Sequence, residues 1–353
     1  MILNAETISE EGLTLNIFSM KKILITGASG FIGSFLVEEA LSQGYIVYAG
    51  IRRSSSKDYL TNTDINFIEL NFSNKNVLKE KLTYYKNEIG QFDYIIHNAG
   101  ITKSNNKRDF EKVNYQNTKN FIEALIETNT TPEKFIYISS LAAYGPGNEQ
   151  TMLPVTETDT PNPITLYGKS KLNAELFIKS LNNFPYLIFR PTGVYGPREK
   201  DYFVMYKMIN QHMETYIGTP YQNITFIYVK DLVHLIINAT MSSITQKSYF
   251  VTDGNKYTTK EFSEIVKQKL NKRTIQLVFP KQIVKPIAYF LENIFAIIGK
   301  TPTLNSEKYK EISCKNWLCD SNAIVNDFGF KAKYDLKKGI EETIEWCKTN
   351  KWL

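Results

Sequence analysis

The sequence predicts an α/β protein: a doubly wound parallel sheet with a smaller, mostly helical C-terminal domain. Three observations carry that expectation. Short apolar runs alternate with helical stretches through the first half of the chain. Most of those runs are continuously apolar rather than alternating, as in strands buried on both faces. Three glycines at a spacing of three, Gly27, Gly30 and Gly33 in "ITGASGFIG", stand between the first run and the first helix.

In chain order the strand candidates are "KILIT" (22–26), "YIVYAGI" (45–51), "NFIEL" (66–70), "DYIIHNA" (93–99), "KFIYISS" (134–140) and "PYLIFRP" (185–191). Helical spacing marks the segments between them, such as "FIGSFLVEEALSQG", where Gly44 is a stop signal, and "DFEKVNYQNTKNFIEALIE". A βαβαβ alternation of this kind builds a parallel sheet covered on both faces. After about Pro191 the rhythm breaks into loops with Gly and Pro, short helices and one more strand, "SYFVTDG" (248–254). The expected division is residues 20–190 plus about 229–252 for the sheet domain. The second domain takes about 191–228 and 253–353. Residues 1–19 read as a flexible tail without a positive leader, and Met20-Lys-Lys as the start of the folded body.

The 353 residues carry a net charge of +6, spread along the chain, with 42% hydrophobic and 22% charged residues. That suits a globular protein with anionic small-molecule partners, and no nucleic-acid module is visible. Cys314, Cys319 and Cys347 are odd in number and irregular in spacing, which argues against a disulfide framework or a metal site and for a cytoplasmic location. Three glycosylation-type triplets begin at Asn71, Asn129 and Asn223, without other signs of secretion. No integral membrane span is expected. The stretch 283–298, "IVKPIAYFLENIFAII", is interrupted by Lys285, Pro286 and Glu292 and reads as a core helix or the wall of an apolar pocket in preference to a membrane-surface helix.

After a strand and before a helix, each glycine has a task. Gly27 permits a tight turn, Gly30 lets backbone approach a pyrophosphate, and Gly33 lets the helix pack closely on the sheet. The helix that follows offers free N–H groups and a positive dipole end to phosphates. A Rossmann-type dinucleotide site is the result, with Ser29, Phe31 and Ile32 filling the turn. Where an NAD-binding protein has a carboxylate after its second strand, this chain has Ile51, Arg52, Arg53 and Ser54. An arginine fork suits a 2′-phosphate, so NADP is favoured over NAD.

Hydride transfer to a carbonyl needs a proton donor at the developing alkoxide and a second group holding the oxygen. Tyrosine serves when a neighbouring cation lowers its pKa, and a lysine four residues on along a helix lies on the same face. Tyr115, Tyr167 and Tyr334 all have such a lysine. Only Tyr167, with Lys171, opens a helix after a strand that ends in serines, Ser139 and Ser140, where open α/β folds bind ligands.

These stretches, with "HNAG" (97–100), Asn114 in "VNYQNT", "RPTGVYGPR" (190–198) and "FIYVKDL" (226–232), resemble the extended short-chain dehydrogenase/reductases in their order from about 20 to 232. The resemblance implies Tyr167 as general acid/base, Lys171 on the nicotinamide ribose, and Ser140 on the substrate oxygen with Ser139 in support. It places Ala99, Gly100, Asn71, Phe72 and Pro191 along the cofactor, Thr192 and Arg198 towards substrate, and Asp231 in a structural role. It also implies a homodimer formed through helices at roughly 109–128 and 166–181. Metal ligands are not part of the pattern.

Dehydratases of this superfamily follow the catalytic threonine with Asp-Glu; here those positions are Leu141 and Ala142. Sugar-nucleotide epimerases place an arginine on the diphosphate where this chain has Ile224. The "IRR" start and the apolar tail resemble the dihydroflavonol-reductase and hydroxysteroid-dehydrogenase branch. The expectation is an NAD(P)-dependent oxidoreductase acting on a small, apolar hydroxy or keto compound. The alternatives are a nucleotide-sugar epimerase or reductase with tightly bound cofactor, and a non-catalytic cofactor-binding regulatory protein.

Overall fold

A computed structural model describes residues 20–297 and 302–353; the expected tail at 1–19 lies outside them. The chain begins β1 (Lys22–Thr26), α1 (Phe31–Ser42), β2 (Ile46–Ile51), β3 (Asn66–Glu69), α2 (Lys75–Ile89) and β4 (Tyr94–His97). It continues through α3 (Arg108–Phe110), a π-helical turn (Glu111–Gln116), α4 (Asn117–Glu127), β5 (Lys134–Ile138), α5 (Leu166–Lys179) and β6 (Tyr186–Pro191). Then come β7 (Gly193–Tyr195), α6 (Phe203–Asn210), β8 (Met213–Ile217), β9 (Asn223–Ile224), β10 (Phe226–Tyr228), α7 (Val229–Thr240) and β11 (Lys247–Val251). The remainder is β12 (Tyr257–Thr258), α8 (Thr259–Leu270), β13 (Ile275–Phe279), α9 (Lys281–Ile297), α10 (Ser306–Ile312), β14 (Asn316–Trp317), α11 (Asn322–Phe328) and α12 (Leu336–Thr349).

Seven strands form one sheet in the order β11-β6-β5-β4-β1-β2-β3, all parallel. Every residue of β4, β5 and β6 is buried, which is why those segments read as mainly apolar rather than alternating runs. Edge strand β3 departs from the expectation: only Ile68 of its four residues is buried, since it has one neighbour and an open flank. Helices α1 and α7 pack on one face, with Leu36, Val37, Leu232 and Ile236 in the core. Helices α2, α4 and α5 cover the other, with Leu78, Phe121, Leu125 and Ile178. The chain crosses from one face to the other at β1 and β4, the switch point where ligands of such sheets bind.

A separate aromatic core joins α6, α8, α12 and β10 through Tyr206, Phe226, Phe262 and Ile340. Around it lie three small sheets, β10-β7, β12-β9-β14 and β13-β8. The apolar stretch at 283–298 differs from its expected role. Helix α9 runs through Pro286 with Val284 and Ala288 buried, yet Ile283, Ile287, Phe290 and Ile294 face outward. It is packed on one side only, chiefly against α10. Among the described residues no helix is long and apolar enough to cross a membrane.

Candidate active site

The glycine turn is built as its spacing demands. Gly27 has φ +65°, and a Cβ there would stand 2.8 Å from the Ala99 backbone, so the turns after β1 and β4 touch. Gly30 N–H donates to Gly27 O at 3.1 Å. A Cβ on Gly33 would lie 2.1 Å from Gly27 O, a distance no adjustment of a side chain relieves. Helix α1 has Gly30 at its N-cap, no side-chain cap and no acid in its first turn. Its leading N–H groups and dipole are therefore left for an anion. Gly33→Ala is expected to abolish dinucleotide binding, as read by calorimetry; wild-type affinity in that variant would contradict the packing role.

Beside this turn, Gly100 lies close against Asn114 and against Lys171 of the helix carrying Tyr167. A Cβ on Gly100 would come within 2.9 Å of Asn114 Oδ1 and 3.4 Å of Lys171 Nζ. Asn114 lies buried in the π-helical turn, accepts Ile101 N–H at 2.8 Å, and donates to Ile101 O and Ser170 Oγ, each at 3.0 Å. Such π turns recur at functional sites because they re-aim a side chain within a helix. Sequence reasoning quoted Asn114 but gave it no task; the extra residue in the turn leaves no mark on apolar periodicity. His97, at the end of β4, is held between Thr26 Oγ1 (2.9 Å) and Thr118 Oγ1 (3.0 Å). Burial, with Lys171 nearby, lowers its pKa to about 3, so it is a neutral structural link.

Thr165 caps α5 by accepting Gly168 N–H at 3.0 Å, and a Cβ on Gly168 would meet Ala142 O at 2.1 Å. This docks the start of α5 onto the loop after β5 and brings Ser140 and Tyr167 together. The Ser140 hydroxyl stands beside the Tyr167 phenol and accepts Ala142 N–H at 3.1 Å. Burial raises the phenol to about 12, a shift eased by Ser140 and reinforced by Glu311. Lys171 lies one turn further along α5. Its ammonium donates to Ile138 O at 2.7 Å and lies 4.7 Å from the Tyr137 ring centroid. Burial lowers Lys171 to about 8, partly offset by Glu175.

Helix α10 supplies neighbours that the sequence did not reveal. Glu307 Oε2 accepts Leu166 N–H at the start of α5, and Glu311 reaches Tyr167 electrostatically. They stand about 140 residues along the chain from Tyr167, and only folding pairs them.

Several expected ligand contacts have other partners. Ser139 Oγ donates to Glu175 Oε1 at 2.5 Å, and Glu175 grips the fully buried Arg190 through contacts of 2.6–3.0 Å. Ser139 is thus part of a buried ion-pair network. Arg198 donates to Ser34 Oγ (2.9 Å) and Glu38 (2.6 Å) and lies against Phe35 and Tyr59, so helix α1 holds its guanidinium. Thr192 Oγ1 bonds Thr225 at 2.8 Å, tying β6 to the second core. Asn71 Oδ1 closes a turn by accepting from Ser73, which leaves its amide as the remaining polar group. Phe72 packs on His97 and Phe121, Pro191 ends β6, and Ala99 follows β4. Ser29, Phe31 and Ile32 line the partly open turn. Asp231, in the first turn of α7, accepts Lys333 and Tyr334 N–H groups at 3.1 and 2.9 Å, a structural bond to the loop before α12. Arg52 and Arg53 are exposed after β2 and form no ion pair among the described residues. No metal-ligating cluster occurs among the described residues.

A glycine turn at the switch point with a Tyr-Lys helix beside it defines an extended short-chain dehydrogenase/reductase, and hence an enzyme. The chain belongs to the NAD dependent epimerase/dehydratase family, whose sequence profile matches residues 23–249. It is 27% identical over 346 residues to dTDP-D-glucose 4,6-dehydratase of Bos taurus, covering 94% of this chain and 89% of that one. It is 23% identical over 337 residues to a decarboxylating sterol-4-alpha-carboxylate 3-dehydrogenase of Dictyostelium discoideum, covering 92% and 100%. The UDP-glucose 4-epimerase of Thermus thermophilus, solved with NAD, shares the fold with a TM-score of 0.73 at 20% identity, covering 93% and 99%.

Proposed function

We propose that the enzyme is a nucleotide-sugar epimerase that oxidises a sugar carbinol and reduces it again on the other face. The observation that carries this reading is the placing of the Ser140 hydroxyl beside the Tyr167 phenol at the C-terminal edge of the sheet, where the start of α5 docks on the loop of Leu141 and Ala142. One phenol and one hydroxyl can move a proton on and off a sugar oxygen, whereas eliminating water would need further acid and base groups beside them. The sugar-nucleotide relatives favour this over the apolar hydroxy or keto compound expected from the sequence.

A bound nicotinamide dinucleotide supplies the hydride acceptor and donor. The protein's own residues do the rest. Gly27, Gly30 and the α1 N-terminus hold the pyrophosphate, with Ala99 and Gly100 along the cofactor. Arg52 and Arg53 receive a 2′-phosphate, which makes NADP the preferred coenzyme. Tyr167 Oη takes or gives the substrate proton, Ser140 orients the substrate oxygen, and the Lys171 ammonium holds the ribose. Residues 20–190 and 229–252 form the cofactor half, and 191–228 with 253–353 the substrate half. Two copies pair through α4 and α5, on whose surfaces Ile126 and Leu176 are exposed.

Cofactor accounting tests this. Incubation with UDP-glucose and related sugar nucleotides is expected to yield the epimer with no net change in NAD(P)H. Stoichiometric NAD(P)H consumption would overturn the epimerase and favour a second reading, a dehydrogenase of apolar alcohols. That reading draws on Ile224 at the diphosphate position, the engaged Arg198 and the sterol-dehydrogenase relative. For the coenzyme, Arg52→Ala/Arg53→Ala is expected to weaken NADP at least tenfold and to leave NAD unchanged; equal losses for both would contradict the assignment.

A further inference from the structure

Helix α9 carries two apolar stripes. Val284 and Ala288 face the protein, while Ile283, Ile287, Phe290 and Ile294 are between 41% and 65% exposed. Strand β13, which leads into the helix, is exposed along its whole length and pairs only with β8. Its Ile275 and Phe279 add to the apolar surface at 69% and 43% exposure. A bare apolar edge strand beside a bare apolar helix face is a liability in water unless something covers it.

The charge around this face identifies the cover. Between Ile265 and Leu291 the sequence has six Lys and Arg and no Asp or Glu. Lys267 and Lys269 are paired, with Glu214 and Glu341 among their partners. Lys272, Arg273, Lys281 and Lys285 have no ion-pair partner among the described residues, and they stand at the ends of β13 and on the first turns of α9. Two copies meeting here would bring these like charges together. An anionic lipid surface would satisfy both features at once: cations at the headgroups and apolar side chains in the acyl boundary.

We propose that β13 and α9 form a docking face for an anionic membrane surface, on which the enzyme lies without spanning the bilayer. Each cation near such a surface strengthens binding about fivefold, and the apolar stripe adds the larger share. Helix α9 packs on α10, whose Glu307 and Glu311 border Tyr167, so the docked face adjoins the candidate active site. The inference does not depend on which substrate that site takes.

Vesicle sedimentation with the full chain tests it, using phosphatidylcholine vesicles with and without phosphatidylglycerol. The wild type is expected to bind the phosphatidylglycerol vesicles and to be released by salt. Ile287→Glu/Phe290→Glu should lower binding at least tenfold, and Lys281→Glu/Lys285→Glu should remove the preference for anionic lipid. All four side chains lie outside the buried core, and unchanged thermal melts verify that the variants fold. Absence of wild-type binding would overturn the proposal, as would equal binding by the apolar double variant. So would a wild-type dimer, detected by analytical ultracentrifugation, that ignores vesicles and dissociates in that variant.

Discussion

Tyr167→Phe is expected to lower kcat by about 10²–10⁴-fold, the usual worth of a positioned proton donor, while dinucleotide affinity stays at the wild-type value. The ring remains to fill its place beside Ser140, and only the hydroxyl is lost. A steady-state assay paired with a calorimetric titration separates the two quantities. Unchanged kcat would remove Tyr167 from the chemistry. The pH dependence has a definite sign. With its pKa near 12, the phenol carries its proton at neutral pH and is ready to donate it to a carbonyl oxygen. Lys171, near 8, is charged below that value and loses its charge above it. Turnover is therefore expected to decline above about pH 8, where the ribose loses its cation, and a steady-state pH profile that does not decline there would contradict that role of Lys171.

Arg190→Met is the substitution with the largest expected effect on stability. It leaves the Glu175 carboxylate buried with only Ser139 and the more distant Lys179 as polar partners. Breaking a buried pair from one side costs about 3–5 kcal/mol, whereas removing both charges costs far less. Denaturant melts should show the single variant strongly destabilised and Arg190→Met/Glu175→Leu recovering much of the loss. If the double variant is no more stable than the single, the stranded charge is not the cause. Because Ser139 precedes Ser140, the single variant should also disturb the proton-donor pair, an effect the assay of kcat would register.

The sheet is legible because strands buried on both faces are mostly apolar, and because Gly27 and Gly33 sit where backbone meets backbone. Tyr167 was singled out from other Tyr-x3-Lys pairs by its position after a strand ending in serines, and the fold places it beside Ser140. Partners distant in sequence were not legible. Arg198 follows a Gly-Pro loop and resembles a free anion clamp until α1, more than 150 residues earlier, is found to hold it. Ser139 and Ser140 are adjacent and chemically alike; only Glu175, across the buried network, tells them apart. Helix α9 misled for a different reason. Its apolar residues occupy two neighbouring stripes, and composition alone does not say that only one of them is covered.

The central claim concerns one oxygen. A crystal structure with dinucleotide and a sugar nucleotide tests it most directly. The account predicts that Tyr167 Oη and Ser140 Oγ both lie within hydrogen-bonding distance of the substrate oxygen on the carbon facing the nicotinamide ring. A substrate oxygen bonded by other groups, with the phenol turned away from the ring, would contradict it.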